Sequence, residues 1–232
     1  MYSTLDSLGR WRYYLHTVVY LCDQREQDLT DMQDSQPMRG SAITAIDAAR
    51  SEQYRFLARL LMSAPDQTLL KAIAQLDGDD TALGQAFSAL AAAAAEADPR
   101  AVEREYFELF VGVGRGELLP YASFYLTGFL NERPLAILRA DLAQIGVARA
   151  EGRFEPEDHI ALLLEVMADM AAGHIETTVA EQGAFFARHI APWAGQFFDD
   201  LAVAPSARFY RPLAEIGRLL TDIESRAFSL AA

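Results

Sequence analysis

Glu105-Tyr106-Phe107-Glu108-Leu109-Phe110-Val111-Gly112-Val113-Gly114 is followed closely by Pro120-Tyr121-Ala122-Ser123-Phe124-Tyr125-Leu126. Each half spaces aromatic residues four apart, Tyr106 with Phe110 and Tyr121 with Tyr125, so each pair shares one face of a helix. The glycines between them, Gly112, Gly114 and Gly116, stop the first helix, and Pro120 opens the second. The unit is helix, glycine-broken loop, helix.

The same punctuation extends outward in both directions. Upstream, Ser41 is placed to cap a helix running to about Ser63, with Ile43, Ile46, Phe56, Leu57, Leu60 and Leu61 on its apolar face. Pro65 opens a short helix to Leu76. Asp77-Gly78-Asp79-Asp80 breaks it and caps an Ala-rich helix to Ala97, and Asp98-Pro99 starts the helix that reaches Phe110. Downstream, Pro120 leads a helix through Leu130, Pro134 one ending at Gly146, and Pro156 one to about Ala172, closed by Gly173. Helices over Thr178–Ile190, Trp193–Val203 and Ser206–Phe228 follow. The expectation is an all-α fold, a single compact bundle of about ten helices, with neither a strand nor an internal repeat.

Composition agrees with that reading. The chain has 232 residues, 51% hydrophobic and 23% charged, enough to bury a sizeable core. Its formal net charge of −13, without any run of Lys or Arg, argues against nucleic acid or an anionic membrane surface as partner. Acidity suits a basic partner, and also solubility alone. A single cysteine, Cys22, allows neither an intrachain disulfide nor a cysteine-built zinc site. No stretch approaches the roughly 20 apolar residues of a spanning helix, and Arg10, Arg12 and the short apolar run after them lead to no small-residue cleavage site. These features predict a cytoplasmic protein without stable membrane insertion.

Residues 1–37 read differently from the rest. An aromatic patch (Trp11, Tyr13, Tyr14, Tyr20) precedes a polar, acidic stretch with no apolar period, from Asp23 to Pro37, and a second methionine, Met38, stands just before the regular pattern. The reading is an N-terminal extension over 1–37, either mobile or upstream of the true start, and one helical domain over 38–232.

Chemical signatures are sparse. Gly112–Gly116 follows a helix rather than a strand and lacks Gly-Lys-Ser/Thr, so a connector fits better than a phosphate loop. The residues three before His16, His159, His174 and His189 are Tyr13, Pro156, Ala171 and Phe186, not the glutamates of a di-iron bundle. No metal, cofactor or catalytic residue is expected. Ser123 near His159 is a weak nucleophile reading without an orienting carboxylate of obvious spacing. Glu155-Pro156-Glu157-Asp158-His159 supports two readings. As a helix start, it has proline in the first turn, and Asp158 caps back to the Glu155 amide. As a binding cluster, its acids suit guanidinium groups, with Tyr106, Phe110, Tyr121, Phe124 and Tyr125 as apolar walls.

These stretches together resemble the TorD/DmsD/NarJ family of redox-enzyme maturation chaperones. The family shares Glu-Tyr-x-x-Leu-Phe-x-Gly-x-Gly, then Pro-Tyr-x-Ser-x-Tyr-Leu, then Glu-Pro-x-Asp-His, which stand here at 105–114, 120–126 and 155–159. His189-Ile190-Ala191-Pro192-Trp193, Phe197-Phe198 and Phe209-Tyr210 are similar to its C-terminal pattern. Val113 departs from a proline common between the two glycines, and Ala122 from an acid or glycine. The resemblance implies a cytoplasmic, non-enzymatic, all-helical chaperone, monomer or homodimer. Its partner would be the catalytic subunit of a molybdopterin oxidoreductase and that subunit's twin-arginine signal peptide, held until cofactor insertion. It implies a peptide site of Glu155, Pro156, Asp158 and His159, with Tyr106, Leu109, Phe110, Gly112, Pro120, Tyr121, Ser123 and Tyr125 as groove and hinge. A helical interaction domain for another partner, or a nucleotide-binding protein, are the alternative readings.

Without an apolar period, residues 1–37 should be dispensable for folding. A chain beginning at Met38 is expected to melt at the temperature of the full chain; a clear drop in melting temperature would show that the Trp11 patch docks on the domain.

Overall fold

The computed structural model describes residues 44–149 and 155–231, and the extension over 1–37 and the Ser41 cap lie outside these residues. Among the described residues are ten α-helices and no strand. They are α1 (Ala45–Met62), α2 (Gln67–Ile73), α3 (Ala82–Ala95), α4 (Pro99–Tyr106), α5 (Ala122–Thr127), α6 (Arg133–Gln144), α7 (Ile160–Ala171), α8 (Val179–His189), α9 (Ala194–Val203) and α10 (Tyr210–Leu230). None of the described helices is long and apolar enough to cross a membrane.

Local chemistry sets most of the starts. Thr44 with Asp47 and Thr178 with Glu181 form capping boxes on α1 and α8, while Asp66, Thr81 and Asp98 each accept a first-turn N–H on α2, α3 and α4. Two prolines do not start helices as the sequence pattern predicts. α5 begins at Ala122 rather than Pro120, and α7 at Ile160 rather than Pro156, because residues 120–122 and 158–160 first pair with each other in extended form.

α4 continues without a break into a π-helical turn, Phe107–Val111, which ends when the Gly112 N–H bonds the Phe107 carbonyl at 2.6 Å. Gly112 sits at φ 62°, and a Cβ there would stand 2.0 Å from the Arg115 carbonyl oxygen, so only glycine fits.

The core forms where α1 packs along α7, and where α10 packs on α9 and α3. Trp193, Tyr210, Phe87, Phe197 and Phe198 are its largest fully buried side chains. α9 and α10 touch so closely that a Cβ on Gly217 would lie 2.1 Å from the Phe198 ring. Within this apolar body Arg50 is buried and fully engaged. Its Nε and Nη2 donate to Glu224 at 2.9 and 2.8 Å, and its Nη1 donates to Gln182 at 3.1 Å and Asp47 at 3.2 Å. The Tyr54 hydroxyl donates to the same Glu224 at 2.5 Å, and the Phe228 ring lies 5.0 Å from the guanidinium carbon. Removing one partner of such a pair leaves the other buried and uncompensated.

The last helix is capped from a distance. Glu105, buried on α4, accepts the backbone N–H groups of Arg208, Phe209 and Tyr210 at 2.7, 3.1 and 2.9 Å. A carboxylate on unpaired N–H groups at a helix N-terminus is favoured by both hydrogen bonding and the helix dipole. Glu105→Gln replaces one acceptor oxygen with a donor that faces those N–H groups. Urea unfolding of this variant should show a stability loss of about 1–3 kcal/mol with an unchanged slope; wild-type stability would mean that Glu105 does not hold α10.

Candidate functional site

The stretches singled out by sequence meet in one place. Residues 120–122 and 158–160 form an antiparallel bridge centred on Tyr121 and His159, with the Ala122 N–H on the Asp158 carbonyl at 3.0 Å and the Ile160 N–H on the Pro120 carbonyl at 2.8 Å. α5 and α7 therefore begin side by side. Tyr121 caps nothing with its side chain. Asp158 does so from the neighbouring segment, its Oδ2 accepting the Ser123 N–H at 2.8 Å. The back-cap expected from Asp158 to the Glu155 amide is thus replaced by a cap on α5, because the turn folds before α7 starts and faces the other helix.

His159 caps α7 itself: its Nδ1 accepts the Ala161 N–H at 3.1 Å. The ring is buried and packs edge-on against Tyr121 at 5.2 Å. Burial lowers its pKa to about 4, against the nearby charges of Glu155 and Asp158 that favour protonation. The neutral ring accepts at Nδ1 and so carries its proton on Nε2. A serine–histidine–aspartate relay requires the reverse, Nδ1–H donating to the carboxylate. Ser123 is completely buried, and its Oγ has no hydrogen-bond partner among the described residues.

The remaining acids of the turn are already engaged. The Tyr121 hydroxyl donates to the Glu155 carboxylate, and burial followed by Glu155 raises the Tyr121 pKa. Glu157 Oε2 accepts three bonds, from Arg139 Nε and Nη2 at 3.0 and 2.8 Å and from Arg149 Nη2 at 3.0 Å. Burial opposes its charge, but these arginines prevail and hold the carboxyl below its usual range. The Arg149 Nη2 also reaches the Glu155 carbonyl at 3.2 Å. Nothing in the sequence around Arg139 or Arg149 points to this pairing; it arises only when α6 and the turn fold together.

The aromatic pairs face largely inward. Tyr106 donates its hydroxyl to the Met62 carbonyl at 2.8 Å, and burial followed by the Glu155 charge raises its pKa to about 12. Phe110 meets Tyr106 at 5.1 Å and the Tyr210 ring edge at 5.5 Å. Tyr125 bonds Asp200 at 3.1 Å and packs on Trp193 and Phe197. Leu109, Pro120 and Ser123 are buried, Gly112 ends the π-helical turn, and Glu155 and Pro156 are half-buried on the turn. The solvent-facing apolar side chains of these segments are others: Val113 (97% exposed), Phe129 (69%), Val111, Phe107, Leu126 and Leu130. Six of the ten exposed large apolar side chains among the described residues fall between 107 and 130, a concentration beyond the usual single scatter. Arg115, 5.5 Å over the Phe124 ring, ties the glycine loop to α5.

The buried imidazole makes stability pH-dependent. The unfolded chain protonates His159 near 6.5 and the folded chain only near 4, so between these values the unfolded state holds more protons and stability falls as pH falls. The loss across the window reaches at most roughly 3 kcal/mol. His159→Asn keeps an N-cap acceptor and removes the titration, so its denaturation midpoint should fall less steeply from pH 7 to 4. His189 is also depressed, by burial first and against Asp141, and leaves a residual slope. Equal slopes in the two proteins would sink this account.

Comparison with known proteins places the chain. The family described as nitrate reductase delta subunit matches residues 76–199. The chaperone protein TorD of Vibrio parahaemolyticus is 27% identical over 122 residues, covering 48% of this chain and 57% of that protein. TorD of Shewanella loihica is 25% identical over 208 residues, covering 79% and 95%. Across the Vibrio relatives, the chain spans about half of the relative's length. A crystal structure from Archaeoglobus fulgidus, described as a redox enzyme maturation protein, overlaps 82% of the chain with a TM-score of 0.47 and 18% identity. Residues 76–199 are more than half of the 232, and they carry all three motifs quoted above; the chain belongs to the nitrate reductase delta-subunit family, that of the TorD/DmsD/NarJ redox-enzyme maturation chaperones.

Proposed function

We propose that this chain is a cytoplasmic, non-enzymatic chaperone that binds the twin-arginine signal peptide, or another N-terminal segment, of a molybdopterin oxidoreductase catalytic subunit and holds the apoenzyme until its cofactor is inserted. One observation carries the reading beyond family membership. The bridge between 120–122 and 158–160 brings an acidic turn and a run of solvent-facing apolar side chains into one region of a strongly acidic protein. A segment with an arginine pair followed by an apolar stretch carries both complements.

Glu155, Pro156, Asp158 and His159 form the polar end of the site. Tyr106, Leu109, Phe110, Gly112, Pro120, Tyr121, Ser123 and Tyr125 form the scaffold and hinge behind it, and Val111, Val113 and Phe129 add the exposed apolar contact. The net charge of −13 speeds encounter with a basic segment and makes association sensitive to salt. Ligand binding here involves no bond-making. The neutral His159 has the tautomer of a cap, and Ser123 is inaccessible.

The measurement is calorimetric titration with the signal peptides of candidate molybdopterin oxidoreductases, beside thermal unfolding of each variant. Asp158→Asn retains an acceptor for the Ser123 N–H, so its stability cost should stay near ~1 kcal/mol. Loss of the carboxylate charge should weaken binding about tenfold or more, as for a charge pair at a partly desolvated site. Full-strength binding by both Asp158→Asn and His159→Gln would leave Asp158 and His159 as structural caps and take them out of the binding site.

A further inference from the structure

The acid turn offers three carboxylates, and they are not equivalent. Asp158 is 1% exposed and fixed as the cap of α5; Glu155 takes the Tyr121 hydroxyl. Among the described residues, Glu157 alone of the three is held by guanidinium groups, two of them, arriving from different elements: Arg139 on α6 and Arg149 on the connection after it. The Glu157 side chain is 16% exposed, while those of the arginines that cover it are 50% and 36% exposed. Lifting the arginines would uncover the carboxylate to solvent. One residue on, Asp158 Oδ1 is buried without a hydrogen-bond partner among the described residues, so the turn holds an acceptor that those residues leave unused.

Such an arrangement is already a site for a pair of arginines, filled from within. We propose that Glu157 is the carboxylate that receives a guanidinium group of the client segment, and that Arg139 and Arg149 are its resident competitors, displaced on binding. This rests on the function proposed above and adds to it the receiving residue and its regulation. Exchange of one arginine–carboxylate pair for another has two consequences. Affinity is set by a difference between like interactions, so it stays moderate and the client is released readily. Selectivity is also set by that difference: a Lys-Lys segment, without the planar fork, poorly displaces Arg139, whose Nε and Nη2 both hold Glu157 Oε2. The freed arginines keep their charge at the rim and are available to acids elsewhere on the client.

The competing pairs are partly exposed, and each contributes little to stability. The full-length protein with Arg139→Gln and Arg149→Gln together should therefore fold and bind a synthetic peptide carrying Arg-Arg and an apolar stretch roughly five- to tenfold more tightly. Lys71→Gln with Arg226→Gln removes the same two charges from exposed helix positions and should shift affinity by no more than about twofold, which separates competition from net charge. Glu157→Gln should weaken binding about tenfold and erase the preference for Arg-Arg over Lys-Lys. Arg139→Lys, which keeps the charge and loses the fork, should tighten binding to an intermediate degree and serves if the double variant unfolds. Peptide binding that is unchanged by Glu157→Gln, or unchanged or weakened in a folded Arg139/Arg149 variant, overturns this inference and leaves the function standing. Absence of binding by wild type and every variant overturns both.

Discussion

Every helix begins with N–H groups that no residue of its own first turn can fully satisfy. In this chain the two most consequential starts are served by carboxylates from elsewhere: Asp158 on α5 and Glu105 on α10. Each cap fixes a relation between distant parts of the chain as well as closing a helix. Asp158 fixes the turn at 155–159 against α5, and from that follow the Tyr121–His159 bridge, the burial of Ser123 and the half-exposed position of Glu155 and Pro156. Glu105 fixes the start of α10, and with it the Tyr210 ring on which Tyr106 and Phe110 pack. The acids of the motifs are therefore structural first, and any binding surface is built on what they hold.

That division explains which parts of the molecule were legible. Helix number and order follow from punctuation that acts within a few residues: Thr81, Asp98, Pro99, Thr178 and the glycines after Phe110. Local chemistry is written locally, so all ten helices were found close to their places. The starts of α5 and α7 were misplaced at Pro120 and Pro156 because their determinant is a pairing between segments about 38 residues apart, invisible to any local rule. The aromatic spacing puts Tyr106 with Phe110, as the rings are found, whereas Tyr121 stands extended before α5 with its ring on His159 and Tyr125 turns to Trp193 and Phe197. Spacing cannot say whether a face looks inward. Tyr210, Trp193 and Phe197, distant in sequence, settled that.

At the candidate site the sequence brings out segments that do lie side by side, without the structural roles of their residues. The acids of the 155–159 turn suit guanidinium groups as a cluster, yet Asp158 and His159 are buried caps, and Glu157, which the family resemblance leaves out of the peptide site, is the one that holds Arg139 and Arg149. Burial of an ionisable group is a property of the assembled fold; residue identity reveals only the capacity for it. Val113 and Phe129 likewise read as ordinary apolar residues until the fold shows them largely exposed.

The Arg50–Glu224 pair has a consequence for how the molecule comes into being. Its partners are 174 residues apart, so when α1 leaves a ribosome the helix that neutralises Arg50 has not been made. α1 and α7 are able to associate first, but their apolar seam then borders a guanidinium with no carboxylate to meet it. The bundle closes only after Glu224 arrives, and until then α3 and α9 lack the helix on which they pack. A protein proposed to shelter unfinished enzymes thus passes through a long unfinished state of its own, with its core open to solvent through most of synthesis.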